Sequence, residues 1–185
     1  MAKLGGEVTG VLEDGRAWCV RDARPRDARP LARLLDDVAA EPQPALLMLP
    51  GQFPSSVWKR RISEALADPR CLQLSATVGD ELAGNLGLRP DGHPCSGHVL
   101  WVGMSVAAAS RGLGLGGALL ETAAEWARAH GVVKLALGVF PENERAITFY
   151  ERHGFTWEGM RRAQYDRAGQ YHDEVLMARF VTTIR

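Results

Sequence analysis

The chain has 185 residues, enough for one well-cored domain and too few for two. Its 46% hydrophobic and 24% charged residues exclude a disordered chain, and 22 basic against 22 acidic residues leave no net charge. Without a basic excess, nucleic acid and anionic lipid are poor partners, and small or peptidic ligands are favoured. Three cysteines, Cys19, Cys71 and Cys95, form no CxxC pair and fit a reducing compartment rather than a disulfide framework. The opening MAKLGGEVTG lacks the apolar core of a signal peptide, and no apolar run nears the roughly 20 residues of a membrane span. A cytoplasmic location is expected.

The first six residues read as a tail, and residues 1–16 as an extension that adds at most one strand to a single domain over 17–185. Asp14-Gly15 between apolar-leaning runs signals a hairpin within Val8 to Arg21, with Ala17 to Arg21 the stronger strand. Asp27 is placed to cap a helix carrying Leu31, Leu34, Leu35 and Val38 at helical spacing. Four prolines break up the segment from Glu41 to Pro54, so its apolar run Leu46-Leu47-Met48-Leu49 reads as a loop packed over something. A second helix, Ser56 to Ala67, presents Val57, Trp58, Ile62 and Leu66. Strands follow at Cys71 to Val78 and Glu81 to Leu88 around Gly79-Asp80. His98 to Val106 is apolar nearly throughout, as a central buried strand should be. Helices at Gly114 to His130 and Glu142 to His153 flank a strand at Val132 to Phe140. A hairpin closes the chain, with Gly159 to Asp166, a turn at Ala168-Gly169, and Tyr171 to Val181. This order predicts an α/β fold with one mixed sheet of about seven strands and helices on both faces.

The turn Arg111-Gly112-Leu113-Gly114-Leu115-Gly116-Gly117 lies between the buried strand and a helix. Glycines let a ligand approach the backbone, helix-start amides attract phosphate, and Arg111 adds a positive charge. A pyrophosphate-bearing cofactor is the inference. Gly112, Gly114 and Gly117 also satisfy the G-x-G-x-x-G of dinucleotide-binding folds. That reading lacks the acidic residue expected about 20 positions on, at the end of the next strand. Asn143, Ala146, Ile147 and Tyr150 fall on one face of a helix, where an amide and a phenol need polar partners. A cofactor arm with amides would supply them. Asn143 as a helix cap and Tyr150 as a core residue are the plainer alternatives.

Joined at this distance, R-x-x-G-x-G and the run from Asn143 through Tyr150 to Gly154-Phe155 resemble the GNAT superfamily of N-acetyltransferases. The likeness is strongest from Val99 to Phe155, and the end Gly169 to Glu174 looks like members that act on amino acids or protein N-termini. It implies that acetyl-CoA is the cosubstrate, with its pyrophosphate on Arg111 to Gly117 and its arm beside Met104, Ser105, Val106, Asn143 and Ala146. It implies a bulge in the central strand that opens the cleft, and Tyr150 as the acid that protonates the leaving thiolate. Homodimers are common among such proteins. Relatives often carry a carboxylate base on the central strand; here Trp101 stands in that region. His98, Glu142, Asp173 and Glu174 are the substitutes, the three acids reading more simply as solvated charges. An α-amine, with a pKa near 8, needs least help, so the α-amine of an amino acid or peptide is the expected acceptor. A polyamine or antibiotic amine, a non-catalytic acetyl-CoA-binding module and a nicotinamide-dependent oxidoreductase are the alternatives. His93, Cys95 and His98 lack a fourth ligand, and no metal is expected.

Overall fold

The computed structural model describes residues 3–42, 46, 48–167 and 169–183. Parts of the proline-rich segment, including Leu47, and Ala168 of the last turn lie outside these residues. Eight strands form one sheet among the described residues: β1 (Val8–Val11), β2 (Ala17–Asp22), β3 (Leu72–Val78), β4 (Glu81–Arg89), β5 (Val99–Val106), β6 (Lys134–Val139), β7 (Thr156–Arg167) and β8 (Gln170–Phe180). They are ordered β1-β2-β3-β4-β5-β6-β8-β7, with every pairing antiparallel except β5 with β6. The helices are α1 (Ala28–Ala39), α2 (Ser55–Ala67), α3 (Leu115–Ala129) and α4 (Glu144–Arg152). The expected α/β fold is what forms, with one strand more than the seven anticipated.

Alternation along the strands sorts the helices onto the two faces. Leu72, Leu74 and Ala76 of β3 and Leu86 and Leu88 of β4 pack in one apolar cluster with Leu115, Leu119, Leu120 and Ala123 of α3. A second cluster joins α1 to α2 and Met48 through Leu31, Leu34, Leu35, Val38 and Ile62. Residues of the opposite parity, Gln73, Ser75 and Asn85, are buried and polar. The sheet face under α1 and α2 therefore carries hydrogen-bonding groups where a plain core would carry leucines.

Asp27 does not cap α1 through its side chain. Its carboxylate turns inward, accepting hydrogen bonds from Arg21 at 2.7 and 3.0 Å, the Arg24 amide at 2.8 Å and Ser75 at 2.9 Å. This network fastens the start of α1 to β2 and β3. The N-terminal residues are likewise fastened rather than loose. The amides of Lys3 and Leu4 donate to Asp22 at 2.7 and 3.0 Å, and the Lys3 ammonium donates to the carbonyls of Ala65, Asp68 and Cys71.

Burial alone would raise the Asp27 carboxyl, but its bonds to Arg21, Arg24 and Ser75 outweigh that and hold it below the ordinary range. Asp27→Ala strands Arg21, only 11% exposed, and is expected to cost about 3–5 kcal/mol in chemical denaturation. The lowered pKa means this contribution is present above the unfolded carboxyl's pKa and lost as pH falls through the folded value. Acid unfolding of the variant should therefore begin from a smaller stability and show a weaker pH dependence.

Candidate active site

The cleft begins where β5 and β6 part. Their pairing runs only through Val99↔Lys134, Leu100↔Leu135 and Trp101↔Ala136. Beyond it β5 stays with β4 as far as Gly84↔Val106, while β6 stays with β8 as far as Val139↔Val175. A cleft of about 1430 Å³ occupies the gap and extends under α1 and α2. The expected bulge is not in β5, whose register against β4 is unbroken from Arg89↔Trp101 to Gly84↔Val106. The register shift lies one hairpin away, between β3 and β4 at Ala76/Thr77. There Ala83 is the extra residue, and its carbonyl accepts the Ala107 amide at 2.8 Å. Each strand keeps its other neighbour, so the sheet opens without losing either half.

At one end of the cleft lies the glycine turn. Gly112 and Gly114 adopt φ of +71° and +93°, the left-handed region that a side chain disfavours, and Gly114 caps α3. Gly116 and Gly117 serve packing instead. A Cβ on the first would meet the Phe149 ring at 3.3 Å, and one on the second His153 Nε2 at 3.0 Å. The first-turn amides of α3 have no intrahelical partner, and the turn carries no acidic side chain. Leu113 and Leu115 pack into the core, so only their backbone is available to a ligand. The Arg111 guanidinium is already engaged. It donates to Glu41 at 2.8 and 2.6 Å and to the Val106 carbonyl at 2.8 Å. Glu41 neutralises the charge that the sequence places at this turn, and nothing in the pattern signals a partner 70 residues away.

Met104, Ser105, Val106, Asn143, Ala146 and Tyr150 all line the cleft. Asn143 does cap α4, its Oδ1 accepting the Ala146 amide at 3.2 Å, which leaves its NH2 group for the cleft. Asn85 Oδ1 is buried without a partner among the described residues and belongs to the same lining. Tyr150 is 8% exposed, packed against Phe149 and Phe155, and its hydroxyl has no partner among the described residues. Burial pushes its pKa up to about 12, because a phenolate there would be desolvated.

The four substitute bases separate clearly. His98 is exposed at the far end of β5, and Glu142 is exposed outside the cleft lining. Asp173 accepts from Arg162 at 3.1 Å and from the Ala163 amide at 2.8 Å, where β7 bulges. Glu174 is only 2% exposed, lines the cleft, and accepts from Arg161 at 3.1 Å and Tyr165 at 2.9 Å. It is no solvated charge. His93 Nδ1 accepts the Cys95 amide at 3.2 Å, and no His, Cys, Asp and Glu cluster suited to a metal occurs among the described residues.

The opposite end of the cleft is walled by Leu46, Met48 and Phe53 of the proline-rich segment with Trp58 and Arg61 of α2 and Arg89 of β4. The Arg61 guanidinium lies 4.4 Å from the Phe53 ring centroid and 4.9 Å from that of Trp58. Burial first, then the charges of Arg89 and Arg60, lower its pKa. Neither Arg61 nor Arg89 has an ion-pair partner among the described residues. The periodicity of α2 singled out Trp58 but passed over Arg61, since an arginine on a surface helix carries no signal by itself.

The chain belongs to the Acetyltransferase (GNAT) family, which it matches over residues 35–155. It is similar to the L-amino acid N-acetyltransferase AaaT of Escherichia coli (strain K12), at 28% identity over 86% of this chain and 96% of that protein. An acetyltransferase of the GNAT family from Streptococcus pneumoniae superposes with a TM-score of 0.79 at 26% identity, covering 88% of this chain and 99% of that one. The fold is also that of yncA from Salmonella typhimurium, solved with its cofactor acetyl-CoA. That match has a TM-score of 0.80 at 15% identity, over 90% of this chain and 95% of that one. The protein is an acetyl-CoA-dependent N-acetyltransferase. No described helix is long and apolar enough to cross a membrane.

Of the three tyrosines, Tyr150 and Tyr165 are both pushed up to about 12, by burial first and for Tyr165 also by its bond to Glu174. A near-ultraviolet titration of the folded protein should show these two phenols still protonated near pH 10. Because the folded values exceed the unfolded one, their stabilising contribution is complete below about pH 10 and is lost as pH rises towards 12. Full ionisation by pH 10 without unfolding would show both rings to be solvated.

Proposed function

We propose that the enzyme acetylates the α-amine of an L-amino acid, whose carboxylate is held by Arg61 and Arg89. The observation that carries this is the pair of guanidiniums, without acidic partners among the described residues, at the cleft end remote from the glycine turn. They stand beside an apolar wall of Leu46, Met48, Phe53 and Trp58. Partly buried guanidiniums without a counter-ion are costly, and a bound carboxylate relieves that cost. The printed activity of the Escherichia coli relative supports the same acceptor. The lack of a carboxylate on β5 no longer argues for an easily deprotonated amine, because Glu174 brings one to the cleft from elsewhere. Three free thiols support a reducing, cytoplasmic setting. Exposed Trp157, Met160, Tyr171 and Phe180 on β7 and β8 support a homodimer.

Acetyl-CoA supplies the activated acetyl group as a thioester. In this proposal the backbone of Gly112, Leu113, Gly114, Leu115, Gly116 and Gly117 holds the pyrophosphate, and Arg111 joins it on leaving Glu41. Met104, Ser105, Val106, Ala146 and the free amide of Asn143 line the arm. An amide of β5 near Val106, unpaired where β6 departs, stabilises the charge that develops on the carbonyl oxygen. Tyr150 gives its proton to the departing sulfur. Its high pKa keeps that proton in place, and the same dry surroundings raise the pKa of the thiol it serves.

Tyr150→Phe should lower kcat about a hundredfold and leave acetyl-CoA affinity by calorimetry within about twofold. Unchanged turnover would remove Tyr150 from the chemistry. Arg61→Met and Arg89→Met should each raise KM for an amino acid by about tenfold or more and leave KM for its amide nearly unchanged. The deciding experiment is free-thiol release from acetyl-CoA against L-amino acids, their amides, short peptides, polyamines and aminoglycosides. Preference for apolar amino acids with a free carboxylate is expected. Preference for polyamines or aminoglycosides would overturn the reading.

A further inference from the structure

Glu174 is a buried carboxylate that reaches the cleft by an unusual path. It sits on β8 directly opposite Arg161 of β7, one strand removed from the parting of β5 and β6. Its side chain lies across β6 at Gly138. A Cβ built on Gly138 would fall 1.9 Å from Glu174 Oε1, so the carboxylate occupies the space of the side chain that Gly138 lacks. The carboxylate and Gly138 both line the cleft, as do Trp101, Met104 and Tyr150. Arg161 reaches over the Trp101 ring at 5.9 Å and so bridges from β7 to β5 past the carboxylate.

Arg161 and Tyr165, both of β7, are the charged and titratable groups that hold Glu174, each bonding one oxygen. Gly138 of β6 and Trp101 of β5 bring neither charge nor proton, and Tyr150 of α4 shares the same cleft. A carboxylate oxygen accepts about two hydrogen bonds, so each still has capacity for an incoming ammonium. Arg161 places a positive charge beside the carboxylate, and Tyr165 fixes its orientation.

We infer that Glu174 is the base of this acetyltransferase, receiving the acceptor's ammonium and taking one proton from it. An N–H bond breaks and an O–H bond forms on Glu174, leaving the amine lone pair free. Nitrogen then attacks the thioester carbonyl, and a C–N bond forms as the C–S bond breaks. The sulfur takes the Tyr150 proton, and the second proton lost by nitrogen restores that phenol. The proton on Glu174 passes to solvent, which balances the reaction as one amide, one thiol and one released proton. This inference rests on acetyl transfer to an amine and not on which amine is used. A free amino acid makes the base more necessary, since its own carboxylate holds the ammonium proton more firmly than a chain terminus does.

The test compares wild type, Glu174→Gln and Gly138→Ala with two nucleophiles, L-leucine and hydroxylamine, the latter already neutral at pH 7. With L-leucine at pH 7, Glu174→Gln should lose about a hundredfold or more in kcat. Its remaining rate should climb about tenfold per pH unit as the neutral amine fraction grows. Hydroxylamine turnover and acetyl-CoA affinity should stay within about twofold, because neither needs the base. Gly138→Ala keeps the carboxylate but displaces it, and should show the same selective loss. If wild type does not acetylate L-leucine, the amino-acid reading falls, and n-butylamine takes its place with the comparison intact. Equal losses for both nucleophiles would make Glu174 structural, and unchanged turnover with L-leucine, or with n-butylamine in its place, would remove it from the reaction.

Discussion

Everything at this site depends on two parallel strands that stop pairing. After Trp101↔Ala136 the ladder between β5 and β6 ends, yet neither strand is orphaned, because β4 and β8 continue to pair with them. An interior sheet edge is normally a liability, since its amides and carbonyls lose their partners. Here the exposed edges face a cleft, where a ligand with amides and a carbonyl can replace the missing strand. Helix α3 begins at the open end of that gap, so its free amides and the parted strands line one continuous cleft.

Charge in the cleft is arranged in pairs that share a logic. Glu41 occupies Arg111, and Arg161 occupies Glu174, while Arg61 and Arg89 have no acidic partner among the described residues. The paired groups hold one another in fixed orientations through short ion pairs. The unpaired ones are where the proposed function places the acceptor's carboxylate. In the proposed reading opposite roles are distributed along one cleft: pyrophosphate at the helix start, proton transfer at the middle, and carboxylate at the end under α2.

Much of this was legible in the residues. Periodicity placed the helices and most strands within a few residues, because each element shows a strong apolar face or a continuous apolar run. The glycine turn and the Asn143-to-Tyr150 spacing were legible because a left-handed entry to a helix and one helix face impose local rules. What escaped was long-range. Glu41 meets Arg111 across 70 residues, and no local rule connects them. Glu174 looked solvated because acids in strands usually are, whereas the available signal was Gly138. A glycine inside the apolar run KLALGVF marks a close approach, and the approaching group is the Glu174 side chain. The expected bulge in β5 was displaced to the β3–β4 pair because Ala83 absorbs the extra residue there.

The proposed function requires the parted strands and the start of α3 together to receive acetyl-CoA. Hydrogen exchange of the protein with and without acetyl-CoA tests it most directly, since amides without ladder partners exchange readily until a ligand covers them. Selective slowing at Met104 to Val106 and at Gly112 to Gly117, with β1 to β3 unaffected, is the predicted result. Binding that leaves those two segments exchanging as fast as before would contradict it.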